Sequence, residues 1–273
     1  MRDVAATGAN AARMTHGRAL RAIAVALALC ASFPAHADLI VASGGQYTTG
    51  GGQTDLACTD VVVGGTLVVA SGALVNVRHV TIQPGGVIDG GSGVIQVGGN
   101  WTNGGTFTAA TSTVRFVDVC SVATANVVGN TTFFNARFLS AAGKNYVFQV
   151  GTTQTVGGLL EILGTTANPI QFRSSAPSQV ANIDLRPAGT QSIQHVGVTD
   201  VWATGQHLAA GQTNEGGGGN AFNWFDSPIV SEIPIPALGQ FALLALAALL
   251  GVLAFADLRR RRQPRRSTSG SSQ

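Results

Sequence analysis

Gly64-Gly65-Thr66-Leu67-Val68 returns further along the chain as Gly85-Gly86-Val87-Ile88, and again as Gly104-Gly105-Thr106-Phe107-Thr108. Gly44-Gly45 stands before the first of these at nearly the same spacing. Glycine turns a chain sharply without a Cβ clash. A corner that recurs at a period of roughly 20 residues, each time opening a short apolar run, is what one turn of a parallel β-helix needs. Each turn buries a few side chains inward and hydrogen-bonds to the turns above and below, about 4.8 Å away. Gly90-Gly91 and Gly98-Gly99 fall off this period.

Outward from these pairs, no segment from Asp38 to Ser231 repeats apolar residues at i, i+3, i+4, i+7. Alternation recurs instead, in Val114-Arg115-Phe116, Leu160-Glu161-Ile162, Ile170-Gln171-Phe172, Ile183-Asp184-Leu185 and Val196-Gly197-Val198. Such runs, bounded by Gly, Asn, Ser and Thr, are short strands with one buried face. The expected fold is all-β: a parallel β-helix of about 20 residues per coil over residues 38–225. The alternative is a β-sandwich, which also spaces short strands at about 8–12 residues. Asp38 to Cys58 is expected to cap the first coil and Trp202 to Trp224 the last, with Gly216 to Gly219 a flexible loop. The stretch Gly99-Asn100-Trp101-Thr102-Asn103-Gly104-Gly105-Thr106-Phe107 resembles repeats of secreted bacterial β-helical surface proteins.

Charge is segregated. From Asp38 to Pro236 there are six basic residues against eleven acidic ones, while ten arginines lie outside that span. A body of that sign, with no basic stripe, repels nucleic acid, so no nucleic-acid partner is expected. Arg13, Arg18 and Arg21, the apolar run Ala22 to Ala31 and Ala35-His36-Ala37 read as a signal peptide over residues 1–37, implying a Sec-type translocon and signal peptidase as partners. Residues 226–236 read as a Pro-rich stalk.

Ala237 to Ala256 is apolar but for Gln240, and as a helix it would rise about 30 Å, the thickness of a bilayer core. Arg259, Arg260, Arg261 and Arg262 follow, within a basic tail over 257–273. The expectation is one transmembrane helix over 237–256. The arginines orient it towards the cytoplasm, and the protein is anchored in the inner membrane with its body periplasmic. After processing, the body reaches the cell surface or the exterior.

Ile235-Pro236-Ala237-Leu238-Gly239-Gln240-Phe241, then the apolar run, then the arginines, resembles the IPTL-CTERM sorting tail. The departures are Ala237 for threonine, Gln240 for an acid and Phe241 for tryptophan. Such tails are similar to exosortase-recognised PEP-CTERM signals. The resemblance implies a membrane-embedded, exosortase-like sorting protease as partner, a Gram-negative-type host and a route to the cell surface.

Cys58 and Cys120 are a candidate disulfide in an oxidising compartment. Three coils of separation is about 14 Å, and a disulfide needs Cα atoms within about 7 Å. The bond therefore requires the segment before Cys58 to fold back along the coils; two buried thiols are the other reading. His79, His195 and His207 lack ligand-spaced partners, and Gly85-Gly86-Val87-Ile88-Asp89-Gly90-Gly91 lacks the Gly-Gly-x-Gly-x-Asp spacing of calcium repeats. No metal, cofactor or catalytic residue is expected. The function read from the sequence is a non-enzymatic surface or matrix protein for adhesion or contact with surface polysaccharide. A polysaccharide lyase or hydrolase is the alternative, favoured if Asp184, Asp200 and Arg186 share one cleft.

Overall fold

The computed structural model describes residues 37–225, 248–250 and 253–255. Every strand pairing between 39 and 203 is parallel, and the sheets wind as a three-faced β-solenoid of eight turns. Face A stacks Leu39–Val41, Val61–Val63, Val80–Ile82, Trp101–Asn103, Thr124–Val128, Asn145–Phe148, Ile170–Ser174 and Val196–Thr199. Face B stacks Gln46–Thr48, Thr66–Val68, Val87–Asp89 and Thr106–Thr108, then breaks. A separate sheet of Thr131–Phe133, Thr153–Val156, Ala181–Leu185 and Val201–Ala203 continues that side. Face C stacks Gln53–Asp55, Ala73–Val77, Val94–Val97, Thr113–Phe116, Asn135–Leu139, Leu159–Leu163 and Thr190–Gln194. Parallel winding through one sheet after another rules out the β-sandwich. No α-helix occurs among the described residues of this body.

The register explains the glycine period. On face B, Gln46 pairs with Thr66, Thr66 with Val87 and Val87 with Thr106, so the strands advance by the same nearly constant step as the glycine pairs. Those pairs are the corner from face A to face B. A Cβ on Gly65 would lie 2.3 Å from the carbonyl oxygens of both Ala42 and Gly45, so the turns approach too closely there for a side chain. Gly90-Gly91 and Gly98-Gly99 are off the period because they occupy the other two corners, B to C and C to A.

Inward residues form one continuous core, including Leu67, Leu74, Ile82, Ile95, Trp101, Phe116, Phe138, Phe172 and Trp224. Two expectations about the ends are corrected. Asp38 to Cys58 is the first turn itself, hydrogen-bonded strand for strand to the second. Gly216 to Gly219 is not a free loop: Gly219 bridges Thr199, and Leu208 bridges Trp224, so the chain continues the winding until Trp224 and Phe225 bury against the last core layer.

The membrane helix expected over Ala237–Ala256 is also corrected. Among the described residues no helix is long and apolar enough to cross a membrane. Of that segment, residues 248–250 and 253–255 are described, helical and exposed. No membrane-spanning helix among the described residues supports the inner-membrane anchoring inferred from that segment. The signal-peptide segment up to residue 36, the motif Ile235 to Phe241 and Arg259 to Arg262 lie outside the described residues.

Candidate functional site

The edge where face C turns into face A gathers most of the chemistry. Its corners differ in length: five residues separate Asp55 from Val61, two separate Val77 from Val80, three separate Val97 from Trp101, and seven separate Phe116 from Thr124. The two long corners carry Cys58 and Cys120, which are bonded with Cα atoms 5.3 Å apart. The expected route is corrected. The segment before Cys58 does not fold back; the corner carrying Cys120 folds down over the short ones. Val119 lies on Gly98, where a Cβ would meet its carbonyl oxygen at 2.4 Å, and Cys120 Sγ reaches within 3.8 Å of the Asn76 carbonyl. The Cys58 amide donates to that same carbonyl at 2.8 Å. Left-handed backbone at Ala57, Cys58, Cys120 and Ser121 turns both corners towards each other.

Beside the disulfide is the only lysine of the chain. Lys144 is 2% exposed, and its Nζ donates to the carbonyls of Val117, at 2.9 Å, and of Gly98. Burial lowers its pKa to about 8, against the opposing pull of the Asp118 carboxylate. A neutral amine still has two N–H donors for those two acceptors, so loss of the proton leaves both bonds intact. Asp118 accepts from Ser140 Oγ and from the amides of Ala141 and Ala142, at 2.8–3.0 Å. A cleft of about 380 Å³ opens here, lined by Asp118, Cys120, Ser121, Lys144 and Asn145 among others. Buried Tyr146 has its pKa raised, by burial first and by Asp118 second.

Further along the edge, His195 Nδ1 lies 3.2 Å from both carboxylate oxygens of Glu215, and its Nε2 lies 3.4 Å from Thr166 Oγ1. With Nδ1 protonated towards the carboxylate, Nε2 faces the hydroxyl as acceptor, the order of a base-activated nucleophile. The pair borders a cleft of about 390 Å³ with Gln194, Gln212 and Thr213. Among the described residues no three His, Cys, Asp or Glu side chains converge as metal ligands. His79 is structural, its Nδ1 accepting from the Asn100 amide at 2.8 Å.

The acids singled out for polysaccharide chemistry are held in separate contacts. Asp184 and Arg186 pair at 3.4 Å on the outer side of face B. Asp200 is 9% exposed at a corner, where it binds the Ser178 amide and Asn220 Nδ2. At the end of the solenoid, Trp202 donates through Nε1 to Asn220 and meets exposed Phe222 at 5.6 Å. The His195–Glu215 contact escaped the sequence reading because Glu215 is brought back only by the final winding. No local signal joins residues a full turn apart without the register.

Residues 233–262 match the family described as the IPTL-CTERM motif, so the chain carries that motif after its solenoid. No curated protein and no solved structure matches the chain.

Proposed function

We propose that this chain is an exported, non-enzymatic surface or matrix protein. Its β-solenoid is a structural scaffold, and the segment matched at 233–262 is an address for an exosortase-type sorting protease. The IPTL-CTERM match carries this reading. The Cys58–Cys120 bond supports it, since disulfides persist in oxidising compartments. The outer faces, with Thr66, Thr106, Thr113, Asn135, Thr153 and Asn182 turned away from the core, present hydroxyls and amides suited to contact with surface polysaccharide. The test is expression in a host that has a sorting protease of this class. Surface labelling should reach the solenoid, and the mature chain should lack the sequence beyond the Ile235-Pro236 region. A chain recovered whole from the cytoplasm with both thiols free would sink the proposal.

A second reading, an enzyme acting on ester-substituted polysaccharide, draws on the Thr166–His195–Glu215 relay. Hydrolysis of a chromogenic acetate ester that disappears in His195→Ala would favour it. Equal background rates in both chains would dismiss it.

A further inference from the structure

The outward side of face C carries a polar ladder in strict register. Gln96 pairs with Arg115, Arg115 with Arg137, and Arg137 with Glu161. Gln96 is turned to the preceding turn, where its Oε1 accepts from the Asn76 amide at 3.2 Å. Arg137 is turned to the following turn, where its Nε donates to Glu161. Arg115 stands between them with neither. It makes no ion pair among the described residues, and its Nε is the only charged group among the buried side-chain atoms that lack a hydrogen-bond partner.

Two costs therefore meet at one place. A buried donor without an acceptor is unfavourable, and like charges on directly opposed strand positions repel at about 4.8 Å. One anion bridging the two guanidinium groups relieves both. Arginine offers a planar fork that takes a carboxylate through two N–H groups at once. Arg115 is half-buried, so rotation about its own torsions brings that edge outward. Two positions further along the same strands, Leu139 and Leu163 stand side by side, with Leu163 42% exposed. They line a shallow cleft of about 270 Å³ with Val117. An anionic group next to an apolar shelf is the chemistry of a uronic-acid ring, which has a carboxylate on one carbon and a C–H face.

We propose that Arg115 and Arg137 bind the carboxylates of an acidic polysaccharide, with the Leu139–Leu163 cleft taking the apolar face of the sugar ring. This rests on the surface-scaffold reading and names the ligand class it would meet. The site is local: the body as a whole is acidic, and these are two of its six basic residues.

The experiment titrates the full-length chain with polygalacturonate at low salt, with neutral dextran and double-stranded DNA as comparison probes. Arg173 is the control, because it is exposed on face A and, like Arg115, makes no ion pair among the described residues. Arg115→Gln should weaken polygalacturonate binding about tenfold or more, while Arg173→Gln stays within twofold of the parent. Polygalacturonate should raise the unfolding temperature of the parent and of Arg173→Gln, and leave Arg115→Gln where it was. Without ligand, Arg115→Gln should unfold no earlier than the parent, since a repulsion has been removed. Should that variant fail to fold, Arg115→Lys carries the test, with a several-fold loss expected because the fork is gone. Equal losses in Arg115→Gln and Arg173→Gln, DNA binding as tight as polygalacturonate, or no binding at all would each overturn the site. Surface labelling of the same chains reports separately on the scaffold reading, which survives if the chain is displayed but ignores polygalacturonate.

Discussion

The first three turns and the last five solve the same packing problem with different side chains. From Leu39 to Val97 the fully buried hydrophobic side chains are aliphatic, among them Val61, Val63, Leu67, Leu74, Val80, Ile82, Ile88 and Ile95. Through these turns face B advances by a nearly constant step, from Gln46 to Thr66 to Val87 to Thr106. From Trp101 onward an aromatic column fills the interior. Trp101 meets Phe107, Phe116 and Phe133 at 5.2–6.2 Å, Phe116 stacks on Phe138 at 4.7 Å, Phe138 meets Phe172 at 5.0 Å, and Phe172 meets Trp224 at 6.3 Å. The repeat loosens beyond that point. Leu159 pairs with Thr190 and Thr153 with Asn182, steps close to half as long again as those of the lower turns. Larger rings need a wider cross-section, and the longer corners supply it. The break in face B follows directly on the first aromatic turn, between Thr106–Thr108 and Thr131–Phe133. Small side chains permit a regular repeat held by glycine corners; aromatic filling trades regularity for a self-supporting column.

The largest expected effect tests that column. Phe138 touches Phe116, Tyr146, Phe148 and Phe172. Phe138→Ala should cost about 3–5 kcal/mol in denaturant unfolding, through lost burial and a cavity that rigid rings cannot collapse. Hydrogen exchange should accelerate in the upper turns before the lower ones. A loss under about 1 kcal/mol would mean that the column does not carry the upper half.

The lower turns have a clamp instead. The Cys58–Cys120 bond joins positions 62 apart in sequence, across three inter-turn steps. A Cys58→Ser, Cys120→Ser chain should lose about 2–4 kcal/mol, with amide protection falling between Leu39 and Val97 and unchanged beyond Asn135. Uniform loss along the whole chain would erase the distinction between the halves.

The corners sharpen the comparison further. Gly65→Ala in the lower half forces a Cβ onto two backbone oxygens at 2.3 Å and should cost about 1–3 kcal/mol. Gly157→Ala in the upper half finds its nearest atoms at 3.8 and 4.0 Å and should change stability by no more than about 0.5 kcal/mol. Equal costs measured by thermal unfolding would show that corner spacing is not what differs.

This division also explains what could be read from the sequence. The lower turns were legible because the A-to-B corner returns at nearly constant spacing in Gly44-Gly45, Gly64-Gly65, Gly85-Gly86 and Gly104-Gly105. The upper strands were legible one at a time, through Val114-Arg115-Phe116 or Leu160-Glu161-Ile162. Their stacking was not, because C-to-A corners of such different lengths leave the register unspecified. That is why Arg115 can be read as outward but not as the neighbour of Arg137. The same variation made the disulfide look too distant: corner length, not turn count, sets how far Cys120 reaches. The tail motif was legible because it depends on order along the chain alone, whereas the spanning helix inferred beside it rested on hydropathy and found no counterpart among the described residues.

Lys144 sits at the seam between the two regimes and gives the smallest effect, one that only pH reveals. It leaves the corner after Asn135–Leu139 and reaches back to Val117 and Gly98, on the corners of the fourth and third turns. Its pKa is about 8 in the folded chain, with desolvation the larger cause, against about 10.4 when unfolded. Between these values the unfolded chain holds more protons than the folded one, so stability rises with pH across the window and is flat well below it. From pH 8 to 9.5 the gain should be about 1–2 kcal/mol. Above that, unfolded tyrosine begins to ionise while buried Tyr146 resists, which reverses the trend. Lys144→Met leaves the two carbonyls without their donor and lowers stability at every pH, but it should abolish the rise. Unfolding midpoints of parent and variant across pH 7 to 9.5 decide the matter. Parallel curves would mean that the ammonium is hydrated in solution, and that the seam is held by the corners without the lysine.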